Sequence, residues 1–204
     1  MFTITLENCG KRFNRNWIFK DLNHTFTSGT SYAILGANGS GKSTLLQCIA
    51  GYMAISKGEI IFSDTSKPVQ EDHKYRHVSL ASPFLEFIEE FTLRETIDFH
   101  FRMKKLAFIN HPKEIIEITG LQASADKQLK FFSSGMKQRV KIALAVFSDT
   151  PVLMLDEPCT NFDAKGIDWY HHVIENHTQN RLVIVASNQP NEYSFCKEII
   201  NMSV

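Results

Sequence analysis

The chain has 204 residues, and its 22 basic and 22 acidic side chains balance, so no net charge draws it towards nucleic acid or an anionic membrane. The four cysteines are scattered and form no C-x-x-C pair, which argues against a disulfide framework and against a zinc site. No apolar run approaches the roughly 18 residues that span a bilayer, and the first residues lack the pattern of a secretion signal. We therefore expect one cytoplasmic α/β domain over residues 1–204.

Short apolar runs alternate with helical patterns along most of the chain, which predicts a mostly parallel sheet with crossover helices. The first unit of this kind begins with the apolar strand "SYAILG" at residues 31–36. It runs directly into "GANGSGKST" at 36–44, and "KSTLLQCIA" is predicted to form a helix that stops at Gly51. Strand, glycine loop and helix thus follow one another in the order that a phosphate-binding loop requires.

The glycine loop has the residue types that hold a nucleotide triphosphate. Its glycines permit backbone angles that let successive amides turn towards phosphate oxygens, and the following helix adds the positive end of its dipole. Lys42 is expected to contact the outer phosphates, and the Ser43 hydroxyl to ligate Mg²⁺. The predicted nucleotide-binding residues of the loop are Gly36, Ala37, Asn38, Gly39, Ser40, Gly41, Lys42, Ser43 and Thr44.

Beyond two more strand candidates, "GEIIFSD" and "HVSLAS", the pattern changes from α/β to helical. Thr92 and Glu95 form the sequence signature of a capping box, which predicts a helix that begins after Thr92. Pro112 is placed to open a second helix, which Gly120 would close. We therefore predict a small helical insert over residues 84 to about 138.

Two polar motifs accompany the return of the α/β pattern. "FSSGM" precedes a helical pattern, and Ser133 is either an ordinary N-cap or part of a second helix terminus aimed at a phosphate. "VLMLDEP" is an apolar run that ends in two carboxylates; alone, it would indicate only a buried strand. Beside a phosphate loop, Asp156 is suited to hold Mg²⁺ through water, and Glu157, on the opposite face of the pleat, to polarise an attacking water.

With these motifs in order, the chain resembles the ATP-binding cassette ATPases, and in particular the nucleotide-binding subunits of transporters. "GANGSGKST" corresponds to the Walker A motif, "FSSGM" to the signature usually written L-S-G-G-Q, and "VLMLDEP" to Walker B. The resemblance runs from about residue 3 to 200. It implies a phosphate-loop sheet with an N-terminal antiparallel β part, ATP and Mg²⁺ as ligands, and hydrolysis of ATP coupled to transport.

The resemblance also implies a head-to-tail dimer that encloses two ATP molecules. Ser133 and Gly135 would then act across the interface, and Asp163, in the D-loop "TNFD", would link the two sites. Phe13 falls where the family places an aromatic ring that stacks on adenine, with Trp17 as the second choice. Whether the dimer contains two copies of this chain or one copy with a different cassette stays open.

The partner that the resemblance implies is an integral membrane permease, with the cassette peripheral on the inner face of the cell membrane. Family members dock a cytoplasmic helix of the permease beside the helical insert. The segment "PFLEFIEEF" at 83–91 is correspondingly rich in apolar residues, although plain core packing explains them equally well. Neither tandem cassettes nor coiled-coil arms are present, so we expect no nucleic acid partner, in contrast to cassettes that act on ribosomes or DNA.

Three positions depart from the family pattern. Pro83 stands where the family usually has a glutamine that coordinates Mg²⁺, and Met136 replaces the last glutamine of the signature. Asn188 stands where the family has a switch histidine; it can donate a hydrogen bond to the γ-phosphate but cannot carry a charge. With Glu157 and Lys42 present as catalytic residues, we expect slow but real hydrolysis. The alternative is a regulatory cassette that binds ATP and hardly hydrolyses it, beside a more active partner.

Overall fold

A computed structural model describes residues 1–65 and 67–202. Its N-terminal part is an antiparallel sheet in the order β2-β1-β4-β5. Along β1, Phe2, Ile4 and Leu6 are buried while the intervening threonines are partly exposed, the alternation of a sheet with one face on the core. The bounds of its strands are β1 Phe2–Phe13, β2 Asn16–Thr27, β4 Lys57–Asp64 and β5 Lys67–Pro68. The predicted antiparallel β part is confirmed.

The second sheet is parallel throughout, with the strand order β6-β7-β8-β3-β9. Every residue of β7 and β8 is buried, because helices or the other sheet cover both faces of these central strands. Their bounds are β3 Ser31–Leu35, β6 Val78–Ala81, β7 Val152–Asp156, β8 Leu182–Ala186 and β9 Glu198–Asn201. The predicted parallel sheet with crossover helices is therefore confirmed, as is the α/β phosphate-loop class.

The parallel sheet separates two hydrophobic cores. Alternate residues of β7 enter different cores: Val152 and Met154 face the antiparallel sheet, while Leu153 and Leu155 face the helical insert. The helices are α1 Lys42–Ile49, α2 Leu93–Met103, α3 Glu114–Ile118, α4 Ser134–Val146, α5 Ala164–His177 and α6 Pro190–Tyr193. Helix α1 packs on β7 and β8, and α4 packs on β6, β7 and α5. The carboxyl ends of β3, β7 and β8 consequently meet at one edge, beneath the start of α1.

Between residues 84 and 138 the chain forms α2, α3, two short 3-10 helices and the start of α4. The capping box at the start of α2 forms as predicted: the Glu95 amide donates to Thr92 Oγ1 at 3.2 Å, and the Thr92 amide donates to Glu95 Oε2 at 2.8 Å. Helix α3, however, begins at Glu114 rather than at Pro112. The Glu114 carboxylate accepts hydrogen bonds from the amides of Asn110 and His111, so the turn that contains Pro112 is capped but not helical.

Candidate functional site

The glycine loop joins β3 to α1 at the carboxyl edge of the parallel sheet. Gly41, the residue before α1, has a φ of 95°, and a Cβ added there would lie 2.5 Å from Ile18 Cγ2. Because both the backbone angle and the space exclude a side chain, only glycine fits this position. Gly41 also supplies no side-chain cap, so the first amides of α1 point into the loop and are available to an anion.

Lys42 is buried beneath the loop. Its Nζ donates hydrogen bonds to the carbonyl oxygens of Gly36 at 2.7 Å and Ala37 at 3.2 Å. The ammonium group therefore sits inside the loop, next to the amides at the start of α1. A cation and free amides in one concave loop form a site with the chemistry that phosphate groups require.

Asp156, the last residue of β7, is buried and receives two hydroxyl hydrogen bonds. Ser43 Oγ donates to its Oδ1 at 2.9 Å, and Ser82 Oγ donates to its Oδ2 at 2.8 Å. Burial raises the pKa of the Asp156 carboxyl above its usual value, while the hydrogen bonds from Ser82 and Ser43 act in the opposite direction. The Ser43–Asp156 pair was predicted from the motifs; Ser82 was not.

Glu157 is not part of the strand, so the alternation of a pleat, which predicted that its side chain leaves from the opposite face, does not apply to it. The strand ends at Asp156, and Glu157 adopts a φ of 45°, which turns the chain sharply. Its amide donates to the carbonyl oxygen of Ala186 at 2.9 Å, so β8 holds this turn in place. The turn brings Glu157 to the same edge as Asp156.

A cavity of about 200 Å³ opens at this edge, and we call it the phosphate-loop cavity. Glu157 lines one side of it and the glycine loop lines the other. Ile18 of β2, a residue that the motifs did not indicate, forms an apolar wall. The lining residues are Ile18, Asn38, Gly39, Gly41, Lys42, Ser43, Thr44 and Glu157.

Asn188 follows β8 and reaches the glycine loop. Its Nδ2 donates to Asn38 Oδ1 at 2.9 Å, and its Oδ1 accepts a hydrogen bond from the Gly36 amide at 3.4 Å. The Asn188 amide group thus contacts two residues of the glycine loop, Gly36 and Asn38. The structure therefore brings Asn188 together with the glycine loop.

The signature residues lie outside the lining of the phosphate-loop cavity in the part of the chain that the structure describes. Ser133 is the N-cap of α4, and its Oγ accepts a hydrogen bond from the Met136 amide at 3.2 Å. Asp163 is likewise the N-cap of α5, with Oδ1 accepting from the Gly166 amide at 2.8 Å. Both side chains are exposed, so they cap their helices and also face solvent.

The two aromatic candidates for adenine stacking lie at the end of the hairpin formed by β1 and β2. The Phe13 side chain is 47% exposed and the Trp17 side chain 39% exposed. Trp17 has cations on its ring, since the Arg12 guanidinium lies 5.5 Å and Lys20 Nζ 5.7 Å from the ring centroid. Phe13 also has a cation on its ring, with Lys11 Nζ 5.0 Å from the centroid, and it differs from Trp17 only in being the more exposed of the two.

A larger cavity, of about 440 Å³, lies between the parallel sheet and the helical insert, and we call it the insert groove. It is mostly apolar, and the segment "PFLEFIEEF" contributes five of its lining residues. Ile88 and Phe99 on its rim are 48% and 47% exposed, whereas Phe87 packs partly into the core. The lining residues are Ala50, Gly51, Tyr52, Tyr75, Val78, Ser79, Leu80, Leu85, Glu86, Phe87, Ile88, Phe91, Thr96, Phe99, His100, Lys104, Lys141, Leu144, Ala145 and Ser148.

The groove lining contains a partly buried imidazole. His100 Nε2 lies 2.8 Å from Ser148 Oγ, whose hydrogen is donated to the Leu144 carbonyl, so Nε2 is the donor of this pair. Burial, reinforced by the nearby Lys104, lowers the pKa of His100 to about 4. Burial also lowers the pKa of Lys104, whose Nζ donates to the carbonyl oxygens of Tyr75 and Val78. The imidazole is therefore neutral at physiological pH.

A glycine loop ahead of α1, a serine and an aspartate joined by a hydrogen bond, and an adjacent glutamate define a phosphate-loop nucleotide-binding protein. The family model described as ABC transporter matches residues 19–160, well over half of the chain. The chain therefore belongs to the ABC transporter family, and its nucleotide-binding role and ATPase class follow from that membership.

The similarity extends to whole proteins. The chain is 27% identical over 203 residues to an uncharacterised ABC transporter ATP-binding protein, YybJ, of Bacillus subtilis strain 168. This match covers 98% of this chain and 92% of that protein. It is 32% identical over 171 residues to the Nod factor export ATP-binding protein I of Burkholderia lata; that match covers 81% of this chain but only 56% of the relative's length. A solved ATP-binding subunit of an ABC transporter has the same fold, with a TM-score of 0.83 at 20% identity, over 97% of this chain and 85% of the other.

Proposed function

We propose that this chain is the ATP-binding subunit of a membrane transporter, and that it hydrolyses Mg-ATP in a head-to-tail dimer to drive a permease. Lys42, Ser43 and Glu157 line one small cavity, and Asp156 is hydrogen-bonded to Ser43 at its edge; this arrangement carries the proposal. A protein that only binds nucleotide needs Lys42, Ser43 and Asp156 for the phosphates and the metal. Glu157 has no such role, and a further carboxylate at the cavity is characteristic of an enzyme.

In this proposal the glycine loop and the first amides of α1 bind the phosphates, and Lys42 neutralises their charge. The Ser43 hydroxyl and the Asp156 carboxylate would hold Mg²⁺, because two oxygen donors 2.9 Å apart suit a small, hard cation. The cation, when bound, neutralises charge on the phosphate oxygens. Glu157 acts as the base that orients the attacking water and accepts its proton, and Asn188 donates a hydrogen bond to the outer phosphate.

The second half of each site comes, in this proposal, from the partner cassette. Ser133 and Gly135 at the start of α4 face the phosphates of the opposite subunit, and Asp163 links the two sites. The exposure of Ser133 and its position at the amino end of a helix of 13 residues support this role, because a helix terminus attracts anions. Phe13, the more exposed ring, stacks on the adenine. Both a homodimer and a heterodimer satisfy this arrangement.

The membrane partner docks, in this proposal, on the insert groove. A contiguous apolar surface with exposed aromatic and aliphatic rims is typical of a protein interface. Among the described residues, no helix is long and apolar enough to cross a membrane. In this proposal the membrane-spanning part of the transporter is a separate permease, and this subunit is peripheral on the cytoplasmic face, as one domain over residues 1–204 with its insert at about 84–138.

The decisive experiment compares ATP turnover of the purified chain with that of Glu157→Gln. The variant keeps the size and hydrogen-bonding capacity of the side chain but cannot accept a proton. We expect a loss of about a hundredfold or more in turnover, with ATP affinity within about twofold of the unaltered protein. Equal turnover of the two proteins would exclude Glu157 as the base. Of the proposed function, only the binding of ATP would then remain.

The second candidate function is a regulatory cassette that uses ATP to dimerise and hardly hydrolyses it. Two observations favour it: Asn188 is engaged with Asn38, and Pro83 offers no amide to the site. Sedimentation with and without Mg-ATP separates the candidates when it is combined with the turnover measurement. ATP-dependent dimerisation with no turnover above that of Glu157→Gln would favour the regulatory cassette.

A further inference from the structure

Ser82 contacts the candidate metal site although no motif includes it. It follows β6 directly, and its hydroxyl donates to Asp156 Oδ2 at 2.8 Å. The pairing of Ala81 with Leu155 in the parallel sheet places the next residue of each strand, Ser82 and Asp156, side by side. Ser82 is fully buried, so its hydroxyl is directed at the carboxylate and not at solvent.

The surrounding structure fixes Ser82 in this position. Lys141 Nζ, from α4, donates to the carbonyl oxygens of Ser82 at 3.2 Å and of Pro83 at 3.4 Å. These contacts hold the backbone at the end of β6, and the fixed φ of Pro83 restricts it further. The serine hydroxyl therefore reaches Asp156 from a rigid support, which is a requirement for a group that orients another.

Asp156 has two carboxylate oxygens, and the structure gives each of them one hydroxyl donor. Ser43, itself a candidate ligand, binds Oδ1, and Ser82 binds Oδ2. Without Ser82, the Oδ2 oxygen would lose this buried donor, and the side chain could rotate about its terminal bond. A ligand held by a second hydrogen bond presents its charge in one orientation, which raises its affinity for a metal ion.

We propose that Ser82 is a positioning residue that orients Asp156 for Mg²⁺, at the edge of the site where Pro83 supplies no side-chain donor. The inference rests on the proposed function, because it concerns the binding of Mg-ATP. It adds a residue to the site that the family motifs do not contain, and it assigns to the hydroxyl an indirect role, through Asp156, rather than contact with the reacting atoms.

The test is Ser82→Ala, with Ser79→Ala as the matched control. Ser79 is a buried serine of β6, the strand that Ser82 follows, but its hydroxyl donates to the Val152 carbonyl oxygen and accepts a hydrogen bond from Arg181, away from Asp156. A fluorescent ATP analogue is bound to each protein and Mg²⁺ is titrated in. We expect Ser82→Ala to need on the order of tenfold more Mg²⁺, with unchanged affinity for the metal-free analogue, and Ser79→Ala to match the unaltered protein. Mn²⁺ binding followed by electron paramagnetic resonance provides a second readout, independent of turnover.

The outcomes separate the inference from the function. If the unaltered protein binds no nucleotide, the proposed function is wrong. If it binds Mg-nucleotide and Ser82→Ala has the same Mg²⁺ requirement, only the inference is overturned. Thermal unfolding shows whether each variant is folded. Should Ser82→Ala not fold, Ser82→Thr and Ser82→Cys replace it: a normal requirement in the threonine variant and a raised one in the cysteine variant support the proposal, and equal requirements overturn it.

Discussion

The phosphate-loop cavity and the insert groove differ in how the chain builds them. The cavity takes most of its lining from the segment 38–44, and most of its side chains are polar; hydrogen bonds to Gly36 and Asp156 hold Lys42 and Ser43 in place. The groove takes its lining from segments spread between residues 50 and 148, and most of it is apolar. The first region depends on local backbone geometry, and the second depends on how distant elements pack.

This difference predicts how substitutions in the two regions behave. In the phosphate-loop cavity, replacing one side chain should lower ATP binding or turnover strongly. The free energy of unfolding should change little, because few core contacts depend on that side chain. In the insert groove, neighbouring side chains divide between the core and the surface: Phe87 packs on the buried cluster while Ile88 stays half exposed. Substitutions there should change stability and partner binding to degrees that depend on each residue's burial.

The largest effect is expected from Lys42→Met. The variant removes the cation that binds the loop carbonyls and would face the phosphates, while keeping most of the side chain's length. We expect ATP affinity to fall by about a hundredfold to a thousandfold, with the fold intact, as judged by circular dichroism. The control is Lys57→Met, because Lys57 is half exposed and pairs with Asp21 on the antiparallel sheet. ATP binding by Lys42→Met within twofold of the control would contradict the assignment of the cavity.

The next effect concerns the groove and its pH dependence. His100 has a pKa of about 4 in the folded chain, against an ordinary value of 6.5, so the unfolded chain binds a proton there that the folded chain does not. Stability is therefore lost as the pH falls from about 6.5 through 4, by about 3 kcal/mol in the limit. Urea unfolding at pH 7, 5 and 4 should show a smaller decline for His100→Phe than for the unaltered chain.

Two controls isolate this effect. His73→Phe alters a half-exposed histidine and should leave the decline unchanged. The other charged groups that line the groove, Lys104, Lys141 and Glu86, are present in every variant. An equal decline in His100→Phe and His73→Phe would mean that the imidazole of His100 is protonated in the folded chain.

The contrast between the two regions also explains what the sequence could predict. Glycine spacing and apolar periodicity identified the phosphate loop, α1, β7 and β8, because each signal is local. Ser82 was missed because its contact with Asp156 exists only across the pairing of β6 with β7. The turn at Glu157 was missed because a φ of 45° at a non-glycine residue depends on the bond from its amide to Ala186, which no local pattern encodes.

A third prediction tests the groove as a docking surface. Phe99→Ser removes a half-exposed aromatic ring from the lining, and should reduce retention of the subunit on membranes that contain its permease by about tenfold. Its ATP affinity should stay within about twofold. Met103→Ser is the matched control, because Met103 belongs to the same helix and is 75% exposed but does not line the groove. Equal retention of the two variants would show that the permease binds elsewhere.

The smallest effect, and the one that separates an ATPase from a regulatory cassette most finely, is expected from Asn188→His. Asn188 reaches the glycine loop through Asn38 and the Gly36 amide, so a histidine at this position starts close to the phosphates. A protonated imidazole donates a charge-assisted hydrogen bond, which is stronger than that of an amide by about 1 kcal/mol and corresponds to a severalfold gain in turnover. The gain should disappear above about pH 7.5, where the imidazole is neutral, while the turnover of the unaltered chain shows no matching loss. Gln189→His places the same group one residue away and should show neither change. Turnover that falls in Asn188→His at every pH would mean that the asparagine is adapted to this cavity, and that its bond to Asn38 contributes to the active arrangement of the loop.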